Sequence, residues 1–162
     1  MLILGIDPGL NTTGFGLIKV ENNIGFSLID AGFIKTSAQD GLPKRLAKIY
    51  CELSAILDNI KPNILVLEQL YAHYKHPVTA SLLGHARGII CLLAEQKKIY
   101  FVEYPATRVK KVTTGSGHAS KLQIQKMITH TLKLKEGSIK LPDISDAISL
   151  AITHAYILRS KL

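Results

Sequence analysis

The sequence of 162 residues predicts an α/β fold in which a mixed central sheet is flanked by helices. Short apolar runs bounded by Gly, Pro, Asn and Asp indicate strands, whereas apolar residues at three- and four-residue steps indicate amphipathic helices. Three strands come first, and helices then alternate with single strands, an order typical of a mixed sheet covered by helices. No linker, repeat or low-complexity tract interrupts this order, so residues 1–162 are predicted to form a single domain.

The first three elements are predicted to be a meander of strands. Leu2–Ile6 is an apolar run that ends at the turn Asp7-Pro8-Gly9, and Phe15–Val20 is expected to return as its antiparallel neighbour. A third strand is expected at Gly25–Ile34, after the turn Asn22-Asn23.

Two helices and two buried strands are predicted next. Apolar residues at helical spacing from Leu42 indicate a helix that ends before Pro62. Ile64–Leu67 is a short apolar strand, residues 77–97 form a helix that is apolar nearly all round, and Ile99–Val102 is a further strand.

The remaining sequence is predicted to be helical. A basic loop and short helix run through Lys111, and Gly115-Ser116-Gly117 is a flexible link. The next helix is predicted to turn these residues inward: Leu122, Ile124, Met127, Ile128, Thr131 and Leu132. A last helix is expected to begin near Asp143 and to bury Ala147, Ile148, Ala151, Ile152 and Ala155.

The composition indicates a folded protein with one sizeable core. It is 47% hydrophobic and 20% charged, which gives enough apolar surface to offset the entropy of ordering the chain. The longest uninterrupted apolar stretch is Ile89–Ala94, far short of the roughly 20 residues of a membrane span. Because the first residues also lack a basic leader, we expect a cytoplasmic protein that does not contact a membrane.

The formal charge of +8 suits a polyanionic partner such as nucleic acid. No acidic residue occurs between Glu103 and Glu136, a stretch that carries Arg108, Lys110, Lys111, Lys121, Lys126, Lys133 and Lys135. Of these, Lys126, Lys133 and Lys135 are interpreted as solvated surface residues.

Four acidic residues stand where charge is hard to explain by structure alone. Asp7 and Glu68 each close a short apolar strand, and Asp143 and Asp146 open a helix. If the first and fourth strands are adjacent and parallel, Asp7 and Glu68 project from one edge of the sheet. A helix that begins beside this edge would bring all four carboxylates together.

Such a cluster requires positive charge, since mutual repulsion and burial raise the pKa of carboxyl groups. Oxygen ligands suit Mg²⁺ or Mn²⁺, and two such ions can stabilise the attacking and leaving oxygens of phosphodiester hydrolysis. Taken singly, Asp7 could be an ordinary turn residue and Asp143 could favour a helix N-terminus. Glu68 is the hardest to explain as structure.

These residues belong to motifs that resemble the RuvC family of Holliday-junction resolvases over nearly the whole chain. In order, the motifs are Gly5-Ile6-Asp7-Pro8-Gly9, Thr13-Gly14-Phe15-Gly16, Glu68-Gln69, His85-Ala86-Arg87-Gly88 and Asp143-Ile144-Ser145-Asp146-Ala147. The first motif alone is shared with sugar-kinase and actin-like ATPases, but the ordered combination is far more specific.

The resemblance implies a ribonuclease H-like fold and a homodimer that nicks four-way DNA junctions symmetrically in recombination and repair, leaving 5′-phosphate and 3′-hydroxyl ends. Asp7, Glu68, Asp143 and Asp146 match the catalytic, metal-binding positions of the family. Two Mg²⁺ ions per site are expected, with Mn²⁺ able to substitute. A branch-migration complex of the RuvA and RuvB kind is the expected partner.

The resemblance also implies DNA contacts. Tyr71 matches an aromatic position that stacks on a base, and Lys110 and Lys121 match basic residues near the scissile phosphate and along the DNA. Arg108 and Lys111, in the same acid-free stretch, are further expected contacts. The segment Tyr71–Pro77 is richer in His and Tyr than expected for the family.

Three other classes of function are less compatible with these residues. A related ribonuclease H-fold nuclease that processes ribosomal RNA precursors is the main alternative, and it would show no preference for branched DNA. An actin-like ATPase needs a second domain and a further phosphate loop, neither of which is found. A DNA-binding module without catalysis has no use for the four acids.

The remaining candidate ligands suggest structural roles. Cys51 and Cys91 fall in helical patterns and are predicted to be reduced core residues. A zinc site is disfavoured, because the histidines lack a convincing fourth ligand; His130 and His154 are predicted to be partly buried.

Small residues recur at four-residue spacing in the second helix, at Ala80, Gly84 and Gly88. They predict either a dimer contact or close packing of this helix on its own sheet. The spacing alone does not separate the two.

Overall fold

The computed structural model describes residues 1–21, 25–70, 77–135, 137–139 and 141–160, with only the backbone of residue 77. It contains a five-stranded mixed sheet with the strand order β3-β2-β1-β4-β5. The strands are β1 (Leu2–Asp7), β2 (Thr12–Glu21), β3 (Gly25–Lys35), β4 (Ile64–Glu68) and β5 (Tyr100–Tyr104). The helices are α1 (Leu42–Ile60), α2 (Pro77–Gln96), α3 (Ala106–Thr114), α4 (Lys121–Thr131) and α5 (Pro142–Arg159).

The predicted meander is confirmed, since β2 pairs antiparallel with both β1 and β3. β1 and β4 are adjacent and parallel, which is the arrangement needed to bring Asp7 and Glu68 to one edge of the sheet. β4 also pairs in parallel with β5. β2 begins at Thr12 rather than Phe15, because Thr12 and Thr13 already pair with Lys35 and Ile34.

Each face of the sheet is covered by its own layer of helices. On one face, α1 and α2 pack over a core cluster that includes Leu4, Ile49 and Ile90. On the other, α3, α4 and α5 enclose a second cluster that includes Ile3 and Ile128. The central strands are therefore buried on both sides, which explains why they read as continuous apolar runs.

Helix α5 lies unusually close to the central strands. A Cβ added to Gly5 would lie 1.9 Å from the carbonyl oxygen of Ala147, and one added to Gly16 would lie 2.5 Å from the Ile148 side chain. Residues Ala147–Ala155 are all buried, including the positions between those predicted to face inward. The glycines of β1 and β2 thus let the backbone of α5 rest directly on the sheet.

Helix α4 buries a narrower face than predicted. Ile124, Ile128 and Leu132 follow one another at four-residue steps and are buried, as expected of one helix stripe. Leu122 and Met127 lie off this stripe and are 60% and 39% exposed, so their predicted burial is wrong.

The predicted burial of three other residues is also wrong. Cys51 and Cys91 are free thiols, as expected, but both are exposed because each lies on the outer side of its helix. His130 is exposed on α4, whereas His154 is buried in α5.

Helix α2 is apolar on a face that the described part of the chain leaves uncovered. Ala86, Ile90, Leu93 and Ala94 pack against the sheet, but only 22% of the span Val78–Gln96 is buried. With a mean hydropathy of 1.3, this span is long and apolar enough to cross a membrane by length and composition. Polar residues such as His85 and Arg87 interrupt the span, so the sequence contains no apolar run of that length. A helix packed on a sheet can have the same length and composition. The cytoplasmic setting stays a prediction.

Candidate active site

Asp7 and Glu68 end neighbouring strands at the same edge of the sheet. The parallel register pairs Ile6 with Leu67, so the next residue on each strand is one of the two acids. This is the juxtaposition expected from the sequence. It follows from the fact that parallel strands finish side by side.

Asp143 is brought to this edge by the close packing of α5. A Cβ added to Gly14 would lie 2.3 Å from the backbone oxygen of Asp143, and Gly14 pairs directly with Asp7 in the β1–β2 ladder. Asp146 lies three residues further along α5, so both acids point from one side of its first turns.

The four carboxylates share one electrostatic environment. Burial is the largest cause that raises the pKa of Asp7 from 3.8 to about 7, followed by the charges of Asp146, Asp143 and Glu68. Burial also raises the pKa of Glu68, with Asp146 the next cause. The other three acids are therefore close enough for their charges to act on Asp7, which gathers the four at this edge of the sheet. We call the surface around Asp7, Glu68, Asp143 and Asp146 the carboxylate cleft.

The cleft is not a closed metal cage. Among the described residues, no three His, Cys, Asp or Glu side chains are grouped tightly enough to hold a metal ion as they stand. The donor set is nonetheless made only of carboxylate oxygens, partly buried and mutually repelling. This chemistry fits a hard divalent cation that also accepts water and phosphate oxygens as ligands.

Lys121 and Lys110 lie at the cleft. The Lys121 ammonium is 3.1 Å from a carboxylate oxygen of Asp146, and its charge also lowers the pKa of Asp7. Lys110, on α3, lowers the pKa of Glu68. Both residues predicted to approach the scissile phosphate are thus placed next to the acids.

Lys121 owes its position to a well-formed helix start. The Ser120 hydroxyl accepts a hydrogen bond from the backbone N–H of Gln123, and the Gln123 side chain accepts one from the backbone N–H of Ser120. This capping box fixes where α4 begins.

The other predicted DNA contacts are less central. The Arg108 guanidinium lies over the Tyr104 ring, 5.5 Å from its centre, and Lys111 is exposed in the last turn of α3. No contact of either with the four acids is seen in the described residues. Tyr71, together with His73 and His76, lies outside the described residues, so its predicted stacking role stays a prediction.

Arg87 is a residue of the site that the sequence reasoning missed. Its guanidinium donates hydrogen bonds to the backbone oxygen of Glu68 and to the carboxylate of Glu103. It thereby ties α2 to the ends of β4 and β5. The signal in the sequence is an arginine in the middle of a largely apolar helix. In the structure its side chain is only 11% exposed.

A mixed five-stranded sheet, with acids closing two central strands and two more on a helix packed across that edge, is the architecture of the ribonuclease H-like class. The model of the family described as "Crossover junction endodeoxyribonuclease RuvC" matches residues 3–154. The chain belongs to this family.

Sequence and structure comparisons agree on the relationship. The crossover junction endodeoxyribonuclease RuvC of Rhodopirellula baltica is 43% identical over 161 residues, which cover 99% of this chain and 89% of that protein. The structure of Thermus thermophilus RuvC matches with a TM-score of 0.89 and 28% identity, covering 99% of this chain and 97% of the other. The predicted ribonuclease H-like fold is confirmed.

A second structure of the T. thermophilus protein shows it in complex with a Holliday junction substrate. It matches with a TM-score of 0.91 and 27% identity over 99% of this chain and 96% of the other.

Proposed function

We propose that this protein is a Holliday-junction resolvase that cuts four-way DNA by paired symmetrical nicks during recombination and repair. The observation that carries the proposal is the gathering of Asp7, Glu68, Asp143 and Asp146 at one sheet edge, with Lys110 and Lys121 beside them. Acids that need cations, next to lysines that attract phosphate, suit hydrolysis of a nucleic-acid backbone. Membership of the RuvC family and the junction complex of its relative support DNA junctions as the substrate.

The proposal includes Mg²⁺, with two ions per site and Mn²⁺ as a substitute. Asp7, Glu68, Asp143 and Asp146 would hold the ions, which would supply charge stabilisation for the attacking and leaving oxygens. The raised pKa of Asp7 supports this, because a carboxylate that is costly to ionise alone is stabilised by a bound cation.

The residues of the chain itself bind and orient the substrate. Lys121 and Lys110 attract the phosphate to the cleft. Arg87 holds the end of β4 through the Glu68 carbonyl, so the Glu68 carboxylate is presented by a fixed backbone. The close contact between Gly14 and the Asp143 backbone likewise fixes the backbone that presents the Asp143 carboxylate.

The proposal also includes a homodimer. A two-fold dimer presents two cutting sites to a junction that is itself nearly two-fold. The uncovered apolar face of α2 is the candidate contact. Gly84 and Gly88 support it, because a Cβ on either would meet nothing within 4 Å among the described residues, so neither glycine packs closely on the five strands. Delivery by a RuvA and RuvB type complex is part of the same proposal.

Processing of ribosomal RNA precursors, the alternative considered from the sequence, is not favoured. The family and the relatives from Rhodopirellula baltica and Alkaliphilus metalliredigens are named for crossover junctions. Competition between a four-way junction and linear duplex separates the two, since a precursor-processing enzyme would not prefer the branched substrate.

The decisive experiment mixes the protein with a synthetic four-way junction and Mg²⁺ and follows strand nicking. Asp7→Asn and Glu68→Gln should abolish nicking while junction binding survives. Asp30→Asn is the matched control, because Asp30 is exposed on β3 and distant in the sheet from the β1–β4 edge. Absence of nicking by the unaltered protein, or full nicking by Asp7→Asn, would reject the proposal.

A further inference from the structure

An open groove of about 880 Å³ runs along the outer side of α4. Helix α4 lines it with two rows of residues at four-residue steps, Leu122-Lys126-His130 and Gln125-Thr129-Lys133, the last residue lying just past the helix end. The groove therefore extends over the whole length of the helix, which at 1.5 Å per residue is roughly 16 Å.

Leu134 and Gly137, which follow α4 in the chain, also line the groove. The Gln125 side chain donates a hydrogen bond to the backbone oxygen of Ile139, which ties this part of the chain to α4.

The groove adjoins the carboxylate cleft. Leu122 and Gln125 also line a smaller cavity of about 130 Å³, whose other walls include Lys121 and Asp146. Two adjoining cavities therefore lead from Asp146, past Lys121, to the far end of α4.

The charge of the groove matches that of a phosphate backbone. Lys126 and Lys133 lie on it together with His130, and none of the described lining residues is acidic. Neither lysine is paired with a carboxylate among the described ion pairs, whereas the exposed Lys98 is paired with Glu95. Glu136, beside Gly137 in the sequence, lies outside the described residues.

We propose that this groove binds the DNA strand that continues from the cleavage site, with Lys126 and Lys133 contacting its phosphates and Leu122 contacting its apolar sugar and base surface. The sequence alone favours solvated roles for both lysines. Their position in one groove that adjoins the carboxylate cleft is the observation that assigns them to DNA binding instead. The inference rests on the proposed junction-cutting function and adds a binding site to it.

The test compares two double variants with equal loss of charge. Lys126→Ala with Lys133→Ala removes the groove lysines, and Lys19→Ala with Lys98→Ala is the control. Lys19 pairs with Leu2 at the beginning of β1, and Lys98 precedes β5, so both lie at the end of the sheet opposite the acids. All four substitutions are at exposed positions, and a thermal melt checks that each protein folds.

Binding to a four-way junction is measured without Mg²⁺ over a range of salt. Each lost phosphate contact should lower the slope of log affinity against log salt by roughly 0.9, so the groove variant should lose about 2 and bind roughly tenfold more weakly at low salt. The control should stay close to the unaltered protein. Shortening the junction arms should then abolish the difference between the groove variant and the unaltered protein.

Equal effects of the two double variants would overturn the inference, as would unchanged binding by the groove variant. If the unaltered protein neither binds nor nicks the junction, it is the proposed function that fails, and the two failures are thereby distinguished.

Discussion

The ammonium of Lys121 lies 3.1 Å from a carboxylate oxygen of Asp146, and this contact joins the start of α4 to the second turn of α5. The hydrogen bond and charge of Asp146 are the largest causes that raise the pKa of Lys121, and Asp7 and Asp143 add to them. The lysine therefore remains charged at the cleft at neutral pH. It balances part of the negative charge where the substrate phosphate would enter.

Lys121→Ala should slow junction nicking by at least tenfold and weaken junction binding, because it removes the cation nearest to the acids. The free energy of unfolding should change by less than about 1 kcal/mol, since the lysine is 73% exposed and exposed pairs contribute little. Lys19→Ala, which removes an exposed lysine from the far end of β2, is the control. Nicking by Lys121→Ala at the unaltered rate would contradict a role at the site.

The raised pKa of Asp7 predicts an unusual pH dependence of stability in protein treated with a chelator. The folded state keeps this proton up to about pH 7, whereas the unfolded chain releases it near 3.8, so the folded protein binds more protons between these values. The contribution of Asp7 to stability is therefore lost as the pH rises from about 4 to about 7. Glu68, whose pKa is also raised, acts in the same direction.

Asp7→Asn should remove this loss and raise the free energy of unfolding at pH 8 by up to about 4 kcal/mol relative to the unaltered protein. Chemical denaturation at pH 5 and pH 8 measures the difference. Adding Mg²⁺ should stabilise the unaltered protein at pH 8 and have a much smaller effect on Asp7→Asn. Equal pH profiles for the two proteins would show that Asp7 ionises normally.

The pairing of Asp7 with Glu68 could be predicted from sequence because it depends on local rules. Apolar runs mark strands, and parallel strands end at one edge, so an acid that closes each run lies beside the other. The place of Asp143 could be expected once the helix start was assigned. Its close approach to the sheet depends on Gly14, whose role is visible only when β2 and α5 are packed together.

Other features could not be predicted from the sequence, because hydrophobicity does not say which side of a helix is covered. Leu122 and Cys91 are apolar residues in apolar patterns, yet each faces outward. The acceptors of Arg87 come from two other elements, β4 and β5, so no local pattern could name them. The groove along α4 likewise depends on residues that follow the helix in the chain, such as Leu134 and Gly137.

Gly14→Ala should separate α5 from the sheet edge. The added methyl would lie 2.3 Å from the Asp143 carbonyl oxygen, so the start of α5 must move. We expect a loss of stability of roughly 1–3 kcal/mol and nearly complete loss of nicking. Gly41→Ala is the control, because a Cβ there meets nothing closer than 3.9 Å and the φ of −61° is ordinary for alanine, so nicking should be unchanged. Normal nicking by Gly14→Ala would show that the placement of Asp143 is not critical.

Arg87→Lys should impair nicking more than it impairs folding. Lysine keeps the charge but lacks the planar fork that reaches the Glu68 carbonyl and the Glu103 carboxylate together. Arg87→Ala should in addition cost roughly 1–3 kcal/mol, because it leaves the partly buried Glu103 without its partner. Nicking rates at saturating junction, compared with chemical denaturation, separate the two effects. Equal rates for Arg87→Lys and the unaltered protein would remove Arg87 from the site.

The uncovered face of α2 is where we expect the proposed dimer to form. Val78, Leu82 and Leu92 are exposed, and spacings of four and fourteen residues place them on one side of a helix with 3.6 residues per turn. Leu82→Glu with Leu92→Glu should produce a monomer in sedimentation velocity, because charge would be buried in the contact. Met127→Glu, at an exposed apolar position of α4, should leave the dimer intact. A monomeric double variant that still nicks junctions, but at one strand at a time, would further show that pairing of the two cuts depends on this helix rather than on the cleft.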